Sequence, residues 1–368
     1  MLFFVIVRKI LILILFFSLS ATKAQVKLDH INVNYLFGKI IRHKPEMSHL
    51  VQGPTHGLSL AYDYQSRGEK EWHQDYNYPS FGVTFVYQNM GAKALGKIYS
   101  LHPHYKFYML ERQLNLKVGL GIGYVTNPFD KVENPKNVAY GSRLTSSILF
   151  ELTYQSPQIL QFPLRFEAGL FLMHYSNGKM KSPNTGTNNY GVRAGFSYDV
   201  SNEKLILEDE SPSAYEVQPW NYQFILASGF NDLGLLQAKK YPFFTATALA
   251  EKPLSFKNAI QFGADLFLSQ AAKEHNIYQE AAFPDHGISA DDDWKRIGLF
   301  AGHRFYMGEL NFATQIGYYV YYPVNYLKRL YTRIGLQYDF SKHFFGSLML
   351  KTHFAKAEAI EFGIGFKI

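Results

Sequence analysis

From residue 30 to the C-terminus, apolar and polar side chains alternate with a period of two, and this pattern constrains the fold more than any other feature. One face of the segment 164–176 is apolar, with Leu164, Phe166, Ala168, Leu170 and Leu172. The segments 114–124, 258–268 and 360–368 repeat the pattern. Successive side chains of a β-strand point to opposite faces, so the alternation predicts an all-β, antiparallel fold.

Two all-β architectures give this alternation: a soluble sandwich with its apolar faces inside, and a transmembrane barrel with its apolar face toward lipid. The alternating segments run about 10–13 residues, which suits a tilted membrane strand better than the roughly 5–6 residues usual in soluble sheets. Tyr and Phe make up much of the 17% aromatic content and concentrate at segment ends, as in the aromatic girdles of membrane barrels. We therefore predict a transmembrane β-barrel.

The number of segments suggests about sixteen strands, and we expect about 14–16 strands in one barrel. A polar stretch at 201–218, which includes Glu208, Asp209, Glu210 and Pro212, interrupts the alternation. We interpret it as a long turn between a first barrel region, residues 25–200, and additional strands in residues 219–368. The alternative is a linker between two eight-stranded halves.

Residues 1–24 have the organisation of a secretory signal peptide. Arg8 and Lys9 precede the apolar run 10–17, and small residues lead to Thr22-Lys23-Ala24. We expect this segment to be removed after export.

The net charge of +7 gives little support for nucleic-acid binding. Three of the positive charges lie in residues 1–24, and the remaining chain shows no basic stripe. We therefore predict no nucleic-acid binding. The chain has no Cys, which excludes disulfides and cysteine-ligated metals.

The lengths of the connections orient the predicted barrel. Short links near 111–113, 308–309 and 341–343 fall on one side, and long ones at 126–140, 177–187 and 270–292 fall on the other. The segment 66–78 is the exception, because it is long on the short side. In outer-membrane barrels the long loops are extracellular. Strand 164–176 is therefore expected to end at the outer surface.

His174 and Ser176 continue the apolar, lipid-facing side of strand 164–176 and are its chemically unusual residues. They are two apart, so both project from the same face. An imidazole can activate a serine hydroxyl for attack on an ester, and a pair facing lipid can reach only a lipid ester. The sequence therefore predicts hydrolysis of an acyl ester on an outer-leaflet lipid. The chemistry requires both side chains outward, with His174 Nε2 roughly 3–3.5 Å from Ser176 Oγ.

The run His174-Tyr175-Ser176-Asn177-Gly178, followed by Pro183-Asn184-Thr185-Gly186 and Asn188, resembles the signature of PagL-type lipid A 3-O-deacylases. Those proteins are outer-membrane β-barrels that remove an ester-linked acyl chain from lipid A. The resemblance covers roughly residues 30–200, and the longer chain is similar to exported acyloxyacyl hydrolases. It implies Ser176 as nucleophile, His174 as general base and Asn184 as oxyanion donor, with Asn177 and the backbone N–H of Gly178 as further oxyanion or binding groups. It implies lipid A or lipopolysaccharide as substrate, the bacterial outer membrane as location, and no cofactor.

The third position of the implied triad departs from the family. The Glu of the family maps onto Asn188, and no acidic residue occurs between Ala168 and Tyr198. Asn188 is predicted to lie on the same side of the sheet as His174. An Asn can orient an imidazole, as in Cys-His-Asn proteases, but it stabilises the imidazolium less than a carboxylate does.

Other polar residues have a simpler structural interpretation. Lys351, His353, Glu361 and Lys367 are expected to form a network inside the barrel, and Arg143, Glu151, Arg165, Glu167 and Arg193 to cross-link and fill it. A filled lumen suits an enzyme scaffold better than a pore. We expect no metal at His102-Pro103-His104.

The second functional hypothesis is a non-enzymatic barrel, either a channel or a lipid-binding protein, with a degenerate motif. The sequence is also compatible with a homodimer.

Overall fold

A computed structural model describes residues 29–160, 162–201, 216–233, 239–324, 327–354 and 356–368. The predicted signal peptide and residues 202–215 of the predicted turn or linker lie outside these ranges. The described part of the chain is built from antiparallel strands. Its helices are short, and none of those described is long and apolar enough to cross a membrane.

The first eight strands lie between residues 30 and 199. They are β1 (His30–Ile40), β2 (Thr55–Gln65), β3 (Ser80–Asn89), β4 (Lys97–Met109), β5 (Leu114–Val125), β6 (Leu144–Gln155), β7 (Leu164–Ser176) and β8 (Thr187–Asp199). Helix α1 (Glu71–Asp75) lies between β2 and β3, and a 3-10 helix (Pro45–Leu50) lies between β1 and β2.

The other eight strands lie between residues 221 and 367. They are β9 (Asn221–Asn231), β10 (Tyr241–Pro253), β11 (Asn258–Ser269), β12 (Arg296–Met307), β13 (Leu310–Tyr321), β14 (Leu330–Asp339), β15 (Phe344–His353) and β16 (Lys356–Lys367). Helix α2 (Gln270–Ala282) and a 3-10 helix (Pro284–His286) connect β11 to β12.

The sixteen strands close into two barrels of eight, β1 to β8 and β9 to β16. The predicted number of strands is confirmed, but the preferred single barrel is wrong, and the alternative of two eight-stranded halves is correct. The reason is that β8 pairs with β1 along the whole of His30–Ile40, so the first barrel closes before β9 begins. Strand β16 pairs with β9 over Phe362–Lys367 and so closes the second barrel. Neither barrel leaves an edge for the other to extend.

The distribution of polarity is inverted with respect to a soluble protein. Charged groups are buried inside the barrels, while large apolar side chains on the outside, such as Leu170, Val192, Leu226 and Ile364, are exposed. Eight strands enclose a space that side chains can fill. An apolar exterior with a polar interior is the arrangement of a transmembrane barrel.

Ion pairs fill the lumen of the first barrel. Arg193 contacts Glu167 at 3.0 Å and Glu151 at 3.3 Å, and Lys106 contacts Asp63 at 3.1 Å. This confirms the expectation for three of the five residues predicted to cross-link the interior. The other two are placed elsewhere: Arg143 is exposed, and its guanidinium donates to the carbonyl of Thr126 at 3.1 Å. Arg165 pairs with Asp199 at 3.0 Å, where β7 begins and β8 ends.

The second barrel has its own buried network. Lys351 and His353 both contact Glu358, at 3.0 Å and 2.9 Å, and Glu361 contacts Arg333 at 2.8 Å. Lys367 contacts Asp339 at 2.7 Å. The predicted lumenal network of Lys351, His353, Glu361 and Lys367 is therefore confirmed.

The two barrels contact each other through the connection 66–79 between β2 and β3. It contains the segment 66–78, which is unusually long for its side of the barrel. Lys70 Nζ lies 2.7 Å from the carboxylate of Glu309, in the turn between β12 and β13. The Tyr76 hydroxyl donates to the carbonyl of Tyr306 at 2.8 Å, and the indole of Trp72 packs against Gly308. The length of this connection is thus explained by its role as a contact between barrels.

Candidate active site

The end of β7 carries the two residues singled out from the sequence. His174 pairs in register with Ile148, and Ser176 with Ser146, both on the outward face of β6. Directly paired residues of antiparallel strands project to the same side, so His174 and Ser176 face outward as predicted. Tyr175 between them points into the lumen, where its hydroxyl contacts Gln88 at 3.1 Å.

His174 is held by the strand that follows. Its register partner on β8 is Asn188, and His174 Nδ1 lies 2.7 Å from Asn188 Oδ1. Since an amide oxygen can only accept a hydrogen bond, Nδ1 carries the proton in this pair. The lone pair of the neutral imidazole is then on Nε2, the atom that a general base would use.

His43, which the sequence reasoning did not select, completes this line of side chains. The Asn188 amide nitrogen lies 3.5 Å from His43 Nδ1, and His43 Nε2 lies 3.1 Å from the carbonyl oxygen of Thr185. His43 could have been found only from the pairing of β1 with β8. In that pairing the backbone N–H of Ile41 donates to the carbonyl of Asn188 at 2.8 Å. That pairing is not visible in the local sequence.

The hydroxyl of Ser176 is sheltered by the loop that follows it, and the residue is 9% exposed. The backbone N–H of Gly178 donates to Ser176 Oγ at 3.2 Å. Within the described chain, no hydrogen bond joins His174 to Ser176. The two residues flank Gly186: a Cβ placed there would lie 3.0 Å from Ser176 Cβ and 3.4 Å from His174 Cε1.

The loop 177–186 organises the amides that the resemblance implied as oxyanion donors. Asn184 Oδ1 accepts the backbone N–H of Asn177 at 3.0 Å, which turns the amide nitrogen of Asn184 away from that contact. In the described structure this nitrogen has no hydrogen-bond partner. The side-chain nitrogen of Asn177 is instead engaged with Ser142 Oγ at 3.0 Å and the carbonyl of Lys181 at 2.7 Å. Asn177 therefore holds the loop together.

A groove of about 650 Å³ lies on the outer surface of β1 and β8, and its lining reaches Tyr190, two residues along β8 from Asn188. Phe37 and Val192 form its apolar part, and Tyr190 separates them from the site. Lys39 and Arg42 also line this groove, and Arg42 is next to His43 in the sequence. The site therefore opens onto a surface with apolar and cationic parts.

The remaining candidates have structural partners. His102 contacts Ser147 Oγ and His104 contacts Asp63 Oδ1, each at 2.7 Å and inside the first barrel. No group of three or more His, Asp or Glu side chains in the described ranges is arranged to hold a metal ion.

Two family models match the chain. One, described as lipid A 3-O-deacylase (PagL), matches residues 56–197, and the other, described as acyloxyacyl hydrolase, C-terminal domain, matches residues 220–368. The first range contains His174, Ser176 and Asn188, and the second contains all strands of the second barrel. No curated protein matches the sequence.

Solved structures similar to this chain include a triple mutant of Rhodopseudomonas blastica porin. It has 10% sequence identity and a TM-score of 0.19, with coverage of 93% of this chain and 100% of the porin. A structure described as "Asymmetric conductivity of engineered proteins" has 10% identity, a TM-score of 0.20 and the same coverage. These scores are too low to carry an argument about the fold or the function.

Proposed function

The chain belongs to the lipid A 3-O-deacylase (PagL) family, and on that premise we propose that it is an outer-membrane esterase that hydrolyses an ester-linked acyl chain of lipid A through Ser176 and His174. The observation that carries the proposal is the hydrogen bond of 2.7 Å between His174 Nδ1 and Asn188 Oδ1. It leaves Nε2 as a base on the outward face, beside Ser176.

In the proposed reaction, Ser176 Oγ attacks the carbonyl carbon of the ester and its proton passes to His174 Nε2. The carbonyl oxygen becomes an oxyanion, which the Asn184 side-chain N–H and the Gly178 backbone N–H stabilise. The bond from the carbonyl carbon to the sugar oxygen breaks as His174 returns the proton to that oxygen. Water then hydrolyses the acyl-serine, releasing a fatty acid.

The reaction requires Ser176 Oγ to turn from Gly178 N toward His174. Serine has three staggered χ1 positions, and we expect rotation of the hydroxymethyl group to bring Oγ toward His174. Catalytic hydrogen bonds are often long in substrate-free enzymes and tighten when substrate binds. We expect the ester carbonyl to replace Ser176 Oγ as the acceptor of the Gly178 N–H.

The surroundings of the site support a lipid substrate. The groove beside Asn188 offers Phe37 and Val192 to an acyl chain and Lys39 and Arg42 to an anionic headgroup. The ion pairs that fill the lumen of each barrel argue against a channel. Both observations favour a scaffold that presents a catalytic site to the membrane.

The test is mass spectrometry of lipid A from cells that express the wild type, Ser176→Ala or Ser228→Ala. We expect the wild type to remove one acyl chain and Ser176→Ala to lower the rate about a thousandfold or more, because loss of the nucleophile removes the covalent step. Ser228 is a matched control, a partly exposed serine on the outward face of β9. Unchanged lipid A in all three strains would contradict the proposal and favour a non-enzymatic barrel.

A further inference from the structure

The loop 177–186, which carries the proposed oxyanion donors, rests on the second barrel. Gly178 has a left-handed backbone conformation with φ of 58°, and a Cβ there would collide with the side chain of Ile360 on β16. Four residues further on, Ser182 Oγ donates to Asp232 Oδ2 at 2.9 Å. The two contacts come from different parts of the second barrel, since Ile360 lies in β16 and Asp232 directly follows β9.

These contacts lie within two residues of the groups that act in the proposed reaction. Gly178 donates its N–H to Ser176 Oγ, and Ser182 is two residues before Asn184. A displacement of either contact would therefore move a proposed oxyanion donor relative to the nucleophile. Positioning errors of about 1 Å can lower a rate about a hundredfold.

The exposure of Ile360 is consistent with cover by the loop. Ile360, Phe362 and Ile364 share the outward face of β16, and Phe362 and Ile364 are 56% and 68% exposed. Ile360 is only partly exposed, at the end of the strand that meets Gly178. The loop thus covers the position on this face that is nearest to the site.

Lys179 lies within the same contact. Burial lowers the pKa of its side chain, and the nearby positive charge of Lys356 lowers it further, while Asp232 and Glu358 oppose this shift. All three of these neighbours belong to the second barrel. Lys179 therefore lies among charged side chains of the second barrel, with Lys44 of the first barrel also nearby.

We propose that the second barrel is part of the catalytic unit, with Ile360 and Asp232 as positioning residues that hold loop 177–186 against Ser176. This inference rests on the proposed function. It assigns to the second barrel the role of positioning the loop rather than of contacting the substrate. At the opposite ends of the barrels, the connection 66–79 also joins the two, through Lys70 with Glu309 and Tyr76 with Tyr306.

The experiment compares Ile360→Ala and Asp232→Ala with Ile364→Ala in the full-length protein purified in detergent. Ile364 is a matched control, since it has the same side chain on the same face of the same strand but is far more exposed. We expect kcat for deacylation of purified lipid A to fall about tenfold to a hundredfold for Ile360→Ala and Asp232→Ala, with KM little changed. Asp232→Asn, which keeps an acceptor oxygen for Ser182, should restore most of the activity.

A second measurement separates this inference from the proposed function. Hydrogen exchange of the amides in 177–186 should be faster in Ile360→Ala and Asp232→Ala than in the wild type and Ile364→Ala. If the wild type is active but both variants match Ile364→Ala in kcat and exchange, the inference is wrong and the function stands. If the wild type is inactive, the proposed function fails, and the catalytic role of Ile360 and Asp232 fails with it, whatever the exchange shows. Resistance of the folded barrels to unfolding by SDS without heating controls for misfolded variants.

Discussion

Asn188 stands where the resemblance to the family implies a Glu, and its contacts would let an amide serve in the proposed reaction. The amide oxygen accepts from His174 Nδ1 at 2.7 Å, while the amide nitrogen faces His43. An amide therefore fixes the tautomer and the orientation of the imidazole as a carboxylate would. It lacks the negative charge that would stabilise the imidazolium of the proposed reaction.

At this residue we predict opposite effects for two substitutions. Asn188→Asp keeps the acceptor oxygen and adds a charge next to the developing imidazolium, so kcat should rise about tenfold or more. Asn188→Ala removes the acceptor and should lower kcat. Initial rates of fatty-acid release from lipid A provide the measurement. Equal rates for Asn188→Ala and the wild type would show that Asn188 does not orient His174.

The sequence was sufficient for the direction of these side chains but not for their partners. Alternation along 164–176 correctly placed His174 and Ser176 on the outward face, and alternation along β8 placed Asn188 on the same side. The contacts of His43 depend on the pairing of β1 with β8, which are joined through the whole barrel rather than by a turn. Local pattern carries no information about such a pairing.

The loop 177–186 shows how one element can hold several backbone groups in place. Asn184 Oδ1 accepts a hydrogen bond from the backbone N–H of Asn177. The side-chain amide nitrogen of Asn177 donates to Ser142 Oγ and to the carbonyl of Lys181. The resemblance implied Asn184 as the oxyanion donor and Asn177 as a further oxyanion or binding group. Their hydrogen bonds separate them, because Asn177 is occupied within the loop whereas the nitrogen of Asn184 has no such partner in the described structure.

For this loop we predict that Asn184→Asp lowers kcat about a hundredfold to a thousandfold with little change in KM. Asp keeps an oxygen for the N–H of Asn177, so the loop should retain its conformation. It loses the N–H donor and adds a negative charge beside the oxyanion. Steady-state kinetics on lipid A would test this, with Lys181→Ala, an exposed side chain of the same loop, as control. A wild-type kcat in Asn184→Asp would exclude Asn184 as the donor.

At the scale of the whole molecule, the strands were predictable and their closure was not. Sixteen alternating segments fit one barrel or two equally well, since each strand looks the same from its own sequence in either case. The decision lies in the pairing of β8 with β1 and of β16 with β9, which are the most distant pairings within each barrel. The polar stretch at 201–218 was the one local indication of a division.

Because each barrel completes its own hydrogen bonding, we predict that a chain ending at residue 201 still folds. It should migrate as a compact band on SDS gels without heating and shift on boiling. Deacylation should be at least about tenfold slower than in the full chain, because loop 177–186 loses its contacts with Ile360 and Asp232. A chain ending at residue 175, which lacks β8, is the control and should not close. Failure of the 201-residue chain to fold would mean that the first barrel depends on the second.

The even number of strands in each barrel has a consequence for how such a chain can grow. Eight strands return the chain to the side of the membrane on which it started, so β9 can begin where β8 ends without reversing direction. A further closed unit can therefore be added after the last strand with no change to the orientation of the units before it. The architecture is therefore modular, because each closed barrel begins and ends on the same side of the membrane.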